Sequence, residues 1–346
     1  MSKISVIIPA YNAGVFIENC IDSVLKQSFQ DFEIIVVNDG SKDNTLEILN
    51  RLAERDNRIK VYSQKNGGVS AARNTALKYA TGEFITYVDA DDSVPENGFE
   101  NMISLMEDGV DMVVCSHNEV RIGMRPHLEK PNILNGADDI ASRFPEYDSV
   151  VWWPWGKLLR RSIIADNNLQ YDTNITFGED HIFNLLFAKY ITGKVIVSDK
   201  IAYNYHYIRG GLCSKYYSNM DELQKYVYIK IADYFGGLDC IPREHQEHYA
   251  GCYLKGCVEY YLAWLSKKDA DKKMPECFKV YEDIIDEDIL KIYFTDKQVE
   301  LIKSGNFKEF NTDYIKSNPK ATLWRKVRRS VRRFLEAMQK VFLKRA

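Results

Sequence analysis

The sequence contains no apolar run long enough to cross a lipid bilayer. Nowhere does it reach the roughly 18 consecutive apolar residues of a membrane-spanning helix. The N-terminal stretch MSKISVIIPAYN has one lysine and a five-residue apolar run, which is too short for the apolar region of a secretory signal peptide. We therefore expect a cytosolic protein without a membrane span.

Cysteine pairs with metal-ligand spacing are also absent. The seven cysteines include no CxxC pair and no histidine-rich partner spacing. An odd number scattered along a long chain is typical of reduced thiols in the cytosol, and free cysteines are usually buried small apolar residues. Neither a disulfide framework nor a cysteine-based zinc site is expected.

The common glycine-rich phosphate motifs are missing as well. The chain has neither the GxGxxG of dinucleotide-binding proteins nor the GK[ST] of a P-loop. The glycine-rich loop with a basic end that a sugar-phosphate nucleotidyltransferase carries does not follow Ile8. No internal repeat or low-complexity tract is present.

The chain has instead the length and composition of a folded protein with two units. Its 346 residues exceed the roughly 100–200 residues of a typical domain. The hydrophobic fraction of 45% and the charged fraction of 27% are ordinary for such a protein.

The first 115 residues alternate between strand and helix patterns. Buried β-branched runs predict strands, and apolar residues at helical spacing predict helices. The predicted strands are Ile4–Ile8, Glu33–Val37, Ile59–Tyr62, Glu83–Val88 and Val110–Cys115, and the predicted helices are Phe16–Lys26, Asn44–Arg55, Val69–Tyr79 and Phe99–Met106. This order predicts an α/β fold with a mainly parallel sheet flanked by helices.

Ligands of such sheets bind beyond the carboxyl ends of the strands. After the fourth predicted strand, Asp89 and Asp91 place two carboxylates where they can share one divalent cation. Mg²⁺ and Mn²⁺ prefer oxygen ligands and are usually held by one or two carboxylates plus substrate phosphates. A lone DxD is also a common acidic turn or helix cap. Its position after this strand favours the metal site.

Two further loops can contact a nucleotide. Asp39 can accept a hydrogen bond from a base N–H, and Gly40 permits a tight turn, although the same residues fit a plain turn and helix N-cap. The amides of Gly67 and Gly68 precede a helix, where they can attract phosphate, and Arg73 adds a planar cation one turn later.

Five motifs together resemble those of the family 2 inverting glycosyltransferases. They are VIIPAYN (6–12), VVNDGS (36–41), NGGVSAARN (66–74), VDADD (88–92) and FGED (177–180). The resemblance is close over residues 3–115 and looser over 151–214. It implies a GT-A nucleotide-diphospho-sugar transferase fold with a helical C-terminal region.

The resemblance also implies roles for individual residues. Asp39 would read the uracil, Asp89 would bind the ribose, and Asp180, with Glu179 as the second candidate, would be the catalytic base. Mn²⁺ or Mg²⁺ would be held by Asp91 with Asp89 and His206. The implied nucleotide-sugar contacts are Pro9, Tyr11, Asn12, Asp39, Asn66, Gly67, Arg73, Asp89, Ala90 and Asp91. The implied acceptor or diphosphate contacts are Trp155, Lys157, His206 and Ser214.

Two regions stay open to alternatives. Trp152, Trp153 and Trp155 can stack on a sugar ring or pack the core, since tryptophan buries a large apolar area in either place. The segment Gly178–Asp180 fits a helix start with acids in its first turn, and this reading is compatible with Asp180 as the base.

Residues 321–346 carry a net charge of +8, against −11 for the rest of the chain. Apolar residues recur at helical spacing among nine Lys and Arg residues, a pattern typical of helices that lie on anionic membranes. The alternatives are nucleic-acid binding and an oligomerisation helix, and hence a homo-oligomer; we expect no nucleic-acid partner. The domains predicted are a catalytic domain over 1–215, a helical region over 216–316 and a basic amphipathic helix over 317–346.

The sequence thus predicts a metal-dependent inverting glycosyltransferase (a hexosyltransferase) at the inner face of a bacterial membrane. It would move a sugar from a UDP-sugar donor to a glycan or polyprenyl-linked acceptor during synthesis of capsular, exo- or cell-wall polysaccharide. The alternative is a non-catalytic nucleotide-sugar-binding or scaffold protein on the same fold. Because Asp89, Asp91 and Asp180 are all present, catalysis is favoured.

Removal of residues 319–346 should release the protein from anionic vesicles and spare turnover on a short soluble acceptor. Each basic residue near such a surface contributes up to about 1 kcal/mol, and salt should weaken the binding. Vesicle co-sedimentation of both forms at low and high salt measures this. If truncation instead halved the solution mass and left sedimentation unchanged, the segment would be a dimerisation helix.

Overall fold

The computed structural model describes residues 2–318 apart from 122, 144–145, 148–149, 151, 207–215, 238–239 and 283–284. The chain divides into two compact units, Met1–Lys215 and Tyr216–Ala346. The basic segment predicted at the C-terminus lies outside the described residues from residue 319 onward. Among the helices that are described, none combines the length and the apolar character needed to cross a membrane.

One mixed sheet forms the centre of the first unit. Its described strands are β1 (Ile4–Ala10), β2 (Phe32–Asn38), β3 (Ile59–Ser63), β4 (Phe84–Tyr87), β5 (Val110–Arg121), β6 (Gly123–His127), β7 (Asn132–Asn135), β8 (Lys157–Arg160) and β9 (Lys194–His206). They are ordered β3-β2-β1-β4-β8-β5-β9-β7, and β6 pairs with β5. Strands β1 to β4 pair in parallel, whereas β8 is antiparallel to both of its neighbours, β4 and β5.

Helices connect these strands and cover the sheet. In the first unit they are α1 (Ile17–Leu25), α2 (Thr45–Arg55), α3 (Val69–Tyr79), α4 (Gly98–Ile103), α5 (Gly136–Ser142), α6 (Arg161–Asp166) and α7 (Glu179–Lys189). The α/β fold predicted from the alternating pattern is confirmed, and so is the helix start at Glu179. Beyond β4 the sheet becomes mixed, because β8 enters it in the opposite direction.

The described part of the second unit is helical, as expected for the region predicted over residues 216–316. It contains α8 (Met220–Phe235), α9 (Arg243–Ala250), a π-helical turn (Gly251–Lys255), α10 (Gly256–Trp264), α11 (Lys267–Tyr281), α12 (Glu287–Tyr293), α13 (Asp296–Lys303) and α14 (Phe307–Ser317). Tyr261 and Tyr281 are fully buried among these helices, where Tyr261 donates a hydrogen bond to Asp221 at 2.5 Å.

Every residue of β1 and β2 is buried, which explains why both strands are mainly apolar and do not alternate between apolar and polar residues. Helix α1 packs Ile17, Ile21 and Val24 into the same core. Burial of these side chains stabilises the first unit by about 25 cal/mol per Å² of apolar surface.

Glu33 is the one charged residue in β2, and it is buried. Its carboxylate accepts hydrogen bonds from Ser5 Oγ at 2.6 Å and from the backbone N and Oγ1 of Thr81, both at 2.8 Å. Lys60 Nζ lies 2.6 Å away. Burial raises the pKa of Glu33, but these hydrogen bonds outweigh burial and lower the pKa to about 2.

Because the pKa of Glu33 in the fold is below its ordinary value of 4.5, the ionised group stabilises the protein above that pH. This stabilisation is lost as the pH falls towards 2. Glu33→Gln should lower the free energy of unfolding at pH 7 by roughly 1–3 kcal/mol, and the difference from the parent should shrink at pH 3. Urea denaturation at both pH values measures it, with Glu18→Gln, in an exposed ion pair, as control. An equal difference at both pH values would contradict the assignment.

Candidate active site

The loop after β2 binds the loop that precedes α3. Asp39, 3% exposed, accepts hydrogen bonds from the backbone N of Gly67 at 2.9 Å and of Gly68 at 2.8 Å. Gln64 Nε2 donates to the same carboxylate at 2.8 Å, and Asn66 Nδ2 donates to the Asp39 carbonyl oxygen at 2.9 Å. The carboxylate therefore fixes the start of α3.

This arrangement corrects the prediction that the amides of Gly67 and Gly68 are open to a phosphate. They donate to Asp39 instead, because its carboxylate lies directly in front of the helix N-terminus, where an anion is favoured. Gly40 is required for the same packing: its φ is +70°, and a Cβ there would lie 2.8 Å from the backbone N of Asn66.

The loop after β1 lies against the loop after β2. Asn12 N donates to Ser41 Oγ at 3.0 Å, and Asn12 Oδ1 accepts from the backbone N of Lys42 at 2.8 Å. Pro9 is buried in β1, whereas Tyr11 is 48% exposed. Tyr11 thus leaves an aromatic face open beside the Asp39 loop.

Arg73 brings together carboxylates from distant parts of the chain. Its side chain is 3% exposed, and Nη2 lies 3.1 Å from Asp89 Oδ1, at the end of β4. Nη1 contacts Asp180 Oδ1 and lies 3.4 Å from Glu179 Oε1, both in the first turn of α7. Three of the predicted site residues therefore meet at one guanidinium group.

The acid–base properties of this cluster follow from its burial. Burial raises the pKa of Asp180 above its usual range, and the carboxylates of Glu179 and Asp89 add to this shift, while Arg73 opposes it. A carboxylate with a raised pKa accepts a proton more readily at neutral pH, as a general base requires.

Helix α3 and the segment before α7 are joined by a pair of hydrogen bonds. Asn74 Nδ2 donates to the Tyr171 carbonyl oxygen at 2.9 Å, and the Tyr171 backbone N donates to Asn74 Oδ1 at 2.8 Å. The Tyr171 ring stacks on Phe183 of α7 at 4.0 Å and lies 5.2 Å from the Arg73 guanidinium. These contacts hold Arg73 and α7 at a fixed separation.

Hydrogen bonds tie the acidic loop after β4 to β9. Tyr203 OH donates to Asp92 Oδ2 at 2.7 Å and accepts from the backbone N of Asp89 at 3.0 Å. The backbone N of His206 donates to Asp92 Oδ1 at 2.6 Å. Asp91 is partly buried, and burial together with the neighbouring charge of Asp89 raises its pKa to about 6.

The predicted metal ligands are not assembled as a three-residue set. In the part of the chain that the structure describes, no group of three or more His, Cys, Asp or Glu side chains is arranged to hold a metal ion. His206 Nε2 lies 2.9 Å from Ser93 Oγ. His206 is therefore a hydrogen-bonding partner of the loop here and not a member of a ready-made metal site.

Two predicted acceptor contacts lie in the core. Trp155 is 7% exposed and packs between aromatic neighbours, with Tyr203 stacked at 4.5 Å and Trp153 at 5.0 Å. Lys157 is fully buried, and its Nζ donates to the Trp153 carbonyl oxygen. For Trp155 the structure thus favours core packing over sugar stacking. Ser214 lies outside the described residues.

Some residues of the site were not predicted. Gln64 links Asp39 to α3, because its Oε1 also accepts from Thr75 Oγ1 at 2.6 Å. Asp92 and Asn74 belong to recognised motifs, and their place there is the signal that could have found them. Tyr171 stands in no motif, and its role follows only from the packing of α3 against α7.

Comparisons with known proteins identify a family of glycosyltransferases. The model of the family "Glycosyl transferase family 2" matches residues 5–167. The uncharacterized glycosyltransferase EpsJ of Bacillus subtilis is 38% identical over 239 residues, covering 67% of this chain and 69% of EpsJ. The uncharacterized glycosyltransferase YibD of Escherichia coli is 33% identical, covering 55% of this chain and 59% of YibD.

A solved structure shares the fold. The crystal structure of S. aureus TarS 1–349 in complex with UDP-GlcNAc matches with a TM-score of 0.65 and 21% identity, covering 90% of both chains. The chain belongs to glycosyl transferase family 2. It has the GT-A fold and is a glycosyltransferase.

Proposed function

We propose that this glycosyltransferase moves a sugar from a UDP-sugar to a hydroxyl of a glycan or polyprenyl-linked acceptor, with inversion at the anomeric carbon. The observation that carries the proposal is the meeting of Asp89, Glu179 and Asp180 at Arg73. The metal dependence, the donor and the acceptor are all part of this proposal.

Asp180 acts as the general base. The acceptor hydroxyl passes its proton to the Asp180 carboxylate while its oxygen forms a bond to the anomeric carbon of the donor. The bond from that carbon to the diphosphate oxygen breaks, and its electron pair stays on UDP. A positioned base of this kind typically contributes about 10²–10⁴-fold to the rate. Glu179 Oε1 lies 3.4 Å from Arg73 Nη1, so a second carboxylate shares the guanidinium group with Asp180.

Arg73 serves both substrates. In the structure it holds Asp180 and Asp89 in place through charged hydrogen bonds, which are stronger than neutral ones. With a donor bound beside Asp89, the same planar group shares its donors with the diphosphate, whose charge grows as the sugar leaves. One cation thereby orients the base and stabilises the leaving group.

The acidic loop after β4 fits a divalent cation, because two carboxylates, Asp89 and Asp91, lie close enough for the charge of one to raise the pKa of the other. A cation between them would relieve this repulsion. Asp91, with Asp89, would hold Mn²⁺ or Mg²⁺, which when bound neutralises diphosphate charge. Among the described residues we assign these two carboxylates to the cation, and the remaining ligands would be phosphate oxygens and water.

Several observations support the proposed donor, biosynthetic role and cellular location. The exposed ring of Tyr11 beside Asp39 offers a surface for a nucleobase, and TarS, which shares the fold, binds UDP-GlcNAc. The motif resemblance supports a role in bacterial capsular, exo- or cell-wall polysaccharide synthesis. We assign catalysis to residues 1–215 and place the enzyme in the cytoplasm, held at the inner membrane face by the +8 charge of residues 321–346.

Asp91→Ala should abolish metal-dependent donor binding without unfolding the protein, because it removes one of the two carboxylates, Asp89 and Asp91, proposed to hold the cation. Calorimetry with UDP and Mn²⁺ measures the affinity, and circular dichroism monitors the fold. Asp108→Ala, which removes an exposed acid before β5, is the matched control. Undiminished metal-dependent affinity in Asp91→Ala would rule out its assignment as a metal ligand.

Asp180→Asn should retain donor affinity and lose most of the transfer activity, since an amide cannot take the acceptor proton. We expect kcat to fall by about 10²-fold or more, while Glu179→Gln, the neighbouring acid, falls less. Release of UDP in the presence of acceptor measures both variants. If Asp180→Asn stays within about threefold of the parent, Asp180 is not the base, and Glu179 becomes the candidate.

A further inference from the structure

A cavity of about 500 Å³ lies in the first unit, separate from the nucleotide loops. Its volume is within the range of roughly 300–1,000 Å³ that ligand pockets occupy. Aromatic and charged side chains line it together: Tyr147, Trp152 and Trp153, with Glu129, Lys130 and Glu146. None of the roles assigned above uses this cavity.

The walls of the cavity are fixed to the sheet. The backbone N of Glu129, just after β6, donates to the buried Ser116 Oγ of β5 at 2.8 Å. Tyr147 is buried, and its OH accepts hydrogen bonds from Asn132 Nδ2 and, at 3.1 Å, from Arg143 Nη2. A pocket supported in this way is largely formed before a ligand arrives, which lowers the entropy cost of binding.

The lining has the chemistry of a sugar subsite. Trp152 and Trp153 are partly exposed, and flat aromatic faces pack well on the apolar face of a sugar ring. The carboxylates of Glu129 and Glu146 can accept hydrogen bonds from hydroxyl groups. Among the described lining residues Lys130 is the one Lys or Arg, while Arg143 lies 3.6 Å from Glu146 and His127 lies 3.7 Å from Glu129. Acidic and basic groups therefore nearly balance at the cavity, which suits a neutral sugar better than a phosphate or an acidic sugar.

The cavity adjoins the helix that carries the proposed base. The Trp152 ring lies 4.8 Å from the ring of His181, the residue after Asp180. The Trp153 carbonyl oxygen accepts from Asn184 Nδ2 of α7 at 3.0 Å. Two residues of the lining are thus attached to the first half of α7.

Sheet order separates this cavity from the nucleotide loops. The loops that follow β1 and β2 belong to one half of the sheet, whereas Glu129 and Lys130 follow β6, which pairs with β5 beyond the inserted β8. The cavity therefore lies on the β5 side of the inserted strand β8, and the loops after β1 and β2 lie on its β1 side.

We propose that this cavity binds a neutral sugar ring of the acceptor, close to the sugar whose hydroxyl is deprotonated by Asp180. The inference rests on the proposed function, since it assumes that a donor occupies the β1 side. It narrows the acceptor to a molecule that carries at least one neutral sugar and engages it through Trp152 and Glu146.

Saturation-transfer difference NMR on the full chain tests this with cellobiose, lactose and chitobiose as neutral probes and glucose 1-phosphate as the anionic probe. At least one neutral disaccharide should respond with the parent protein. Trp152→Ala should weaken that response at least fivefold, and Glu146→Gln, which changes a half-exposed side chain, about twofold or more. Tyr190→Ala and Glu96→Gln, which change exposed residues outside the cavity, should leave it unchanged.

Calorimetry with UDP and Mn²⁺ separates the donor-site proposal from the proposal that the cavity binds a sugar. All four variants should bind UDP like the parent. A parent that binds UDP but none of the disaccharides would overturn the cavity assignment and leave the donor site intact. A parent that binds disaccharides in this cavity but no UDP would overturn the donor proposal, and with it the acceptor role of the cavity. The cavity assignment would also be overturned if the disaccharide response were equal in the parent, Trp152→Ala and Glu146→Gln. A stronger response to glucose 1-phosphate than to the disaccharides would overturn it as well.

Discussion

The ion pairs of Arg73 hold the active-site region together. A single buried guanidinium group receives Asp89 from the end of β4 and Glu179 and Asp180 from the start of α7. Without it, three carboxylates would share a poorly solvated space, and the cost of an unpaired buried charge is several kcal/mol. The position of α7, and therefore of the proposed base, depends on a charge that α3 supplies.

Around this cluster, hydrogen bonds fix the loops to neighbouring helices and strands. Asp39 is bonded to the start of α3, Asn74 of α3 is bonded to the backbone of Tyr171, and Asp92 is bonded to Tyr203 of β9. Polar side chains of these loops thus bond to the backbone and side chains of neighbouring elements across the carboxyl ends of the strands. Such preorganisation lowers the reorganisation needed when charge develops during a reaction.

Much of this could be predicted from the sequence, because the information is local. The buried strands are mainly apolar. Short motifs at a strand or helix end contain Asp39, Asp89, Asp91 and Asp180. The contact of Arg73 with Asp180 joins residues 107 positions apart, and no periodic pattern encodes such a pairing. The sequence places the amides of Gly67 and Gly68 where they can attract phosphate, but it does not show that Asp39 accepts from both of them.

The environments of the aromatic residues are likewise not encoded in the local sequence. Trp152, Trp153 and Trp155 are adjacent in sequence, yet Trp155 is buried against Tyr203 while Trp152 and Trp153 line a cavity. Composition alone cannot separate these two environments. They differ because Trp155 immediately precedes the turn into β8, whose residues Lys157 to Leu159 are buried in the middle of the sheet.

The central position of β8 has a consequence for how the chain acquires its structure. Strands β4 and β5 are made before β8, yet each pairs with it and they do not pair with each other. During synthesis, both strands therefore keep an unpaired edge until residues 157–160 have emerged, and exposed strand edges invite pairing with other chains. The shortest N-terminal fragment that can close the middle of this sheet must extend past Arg160.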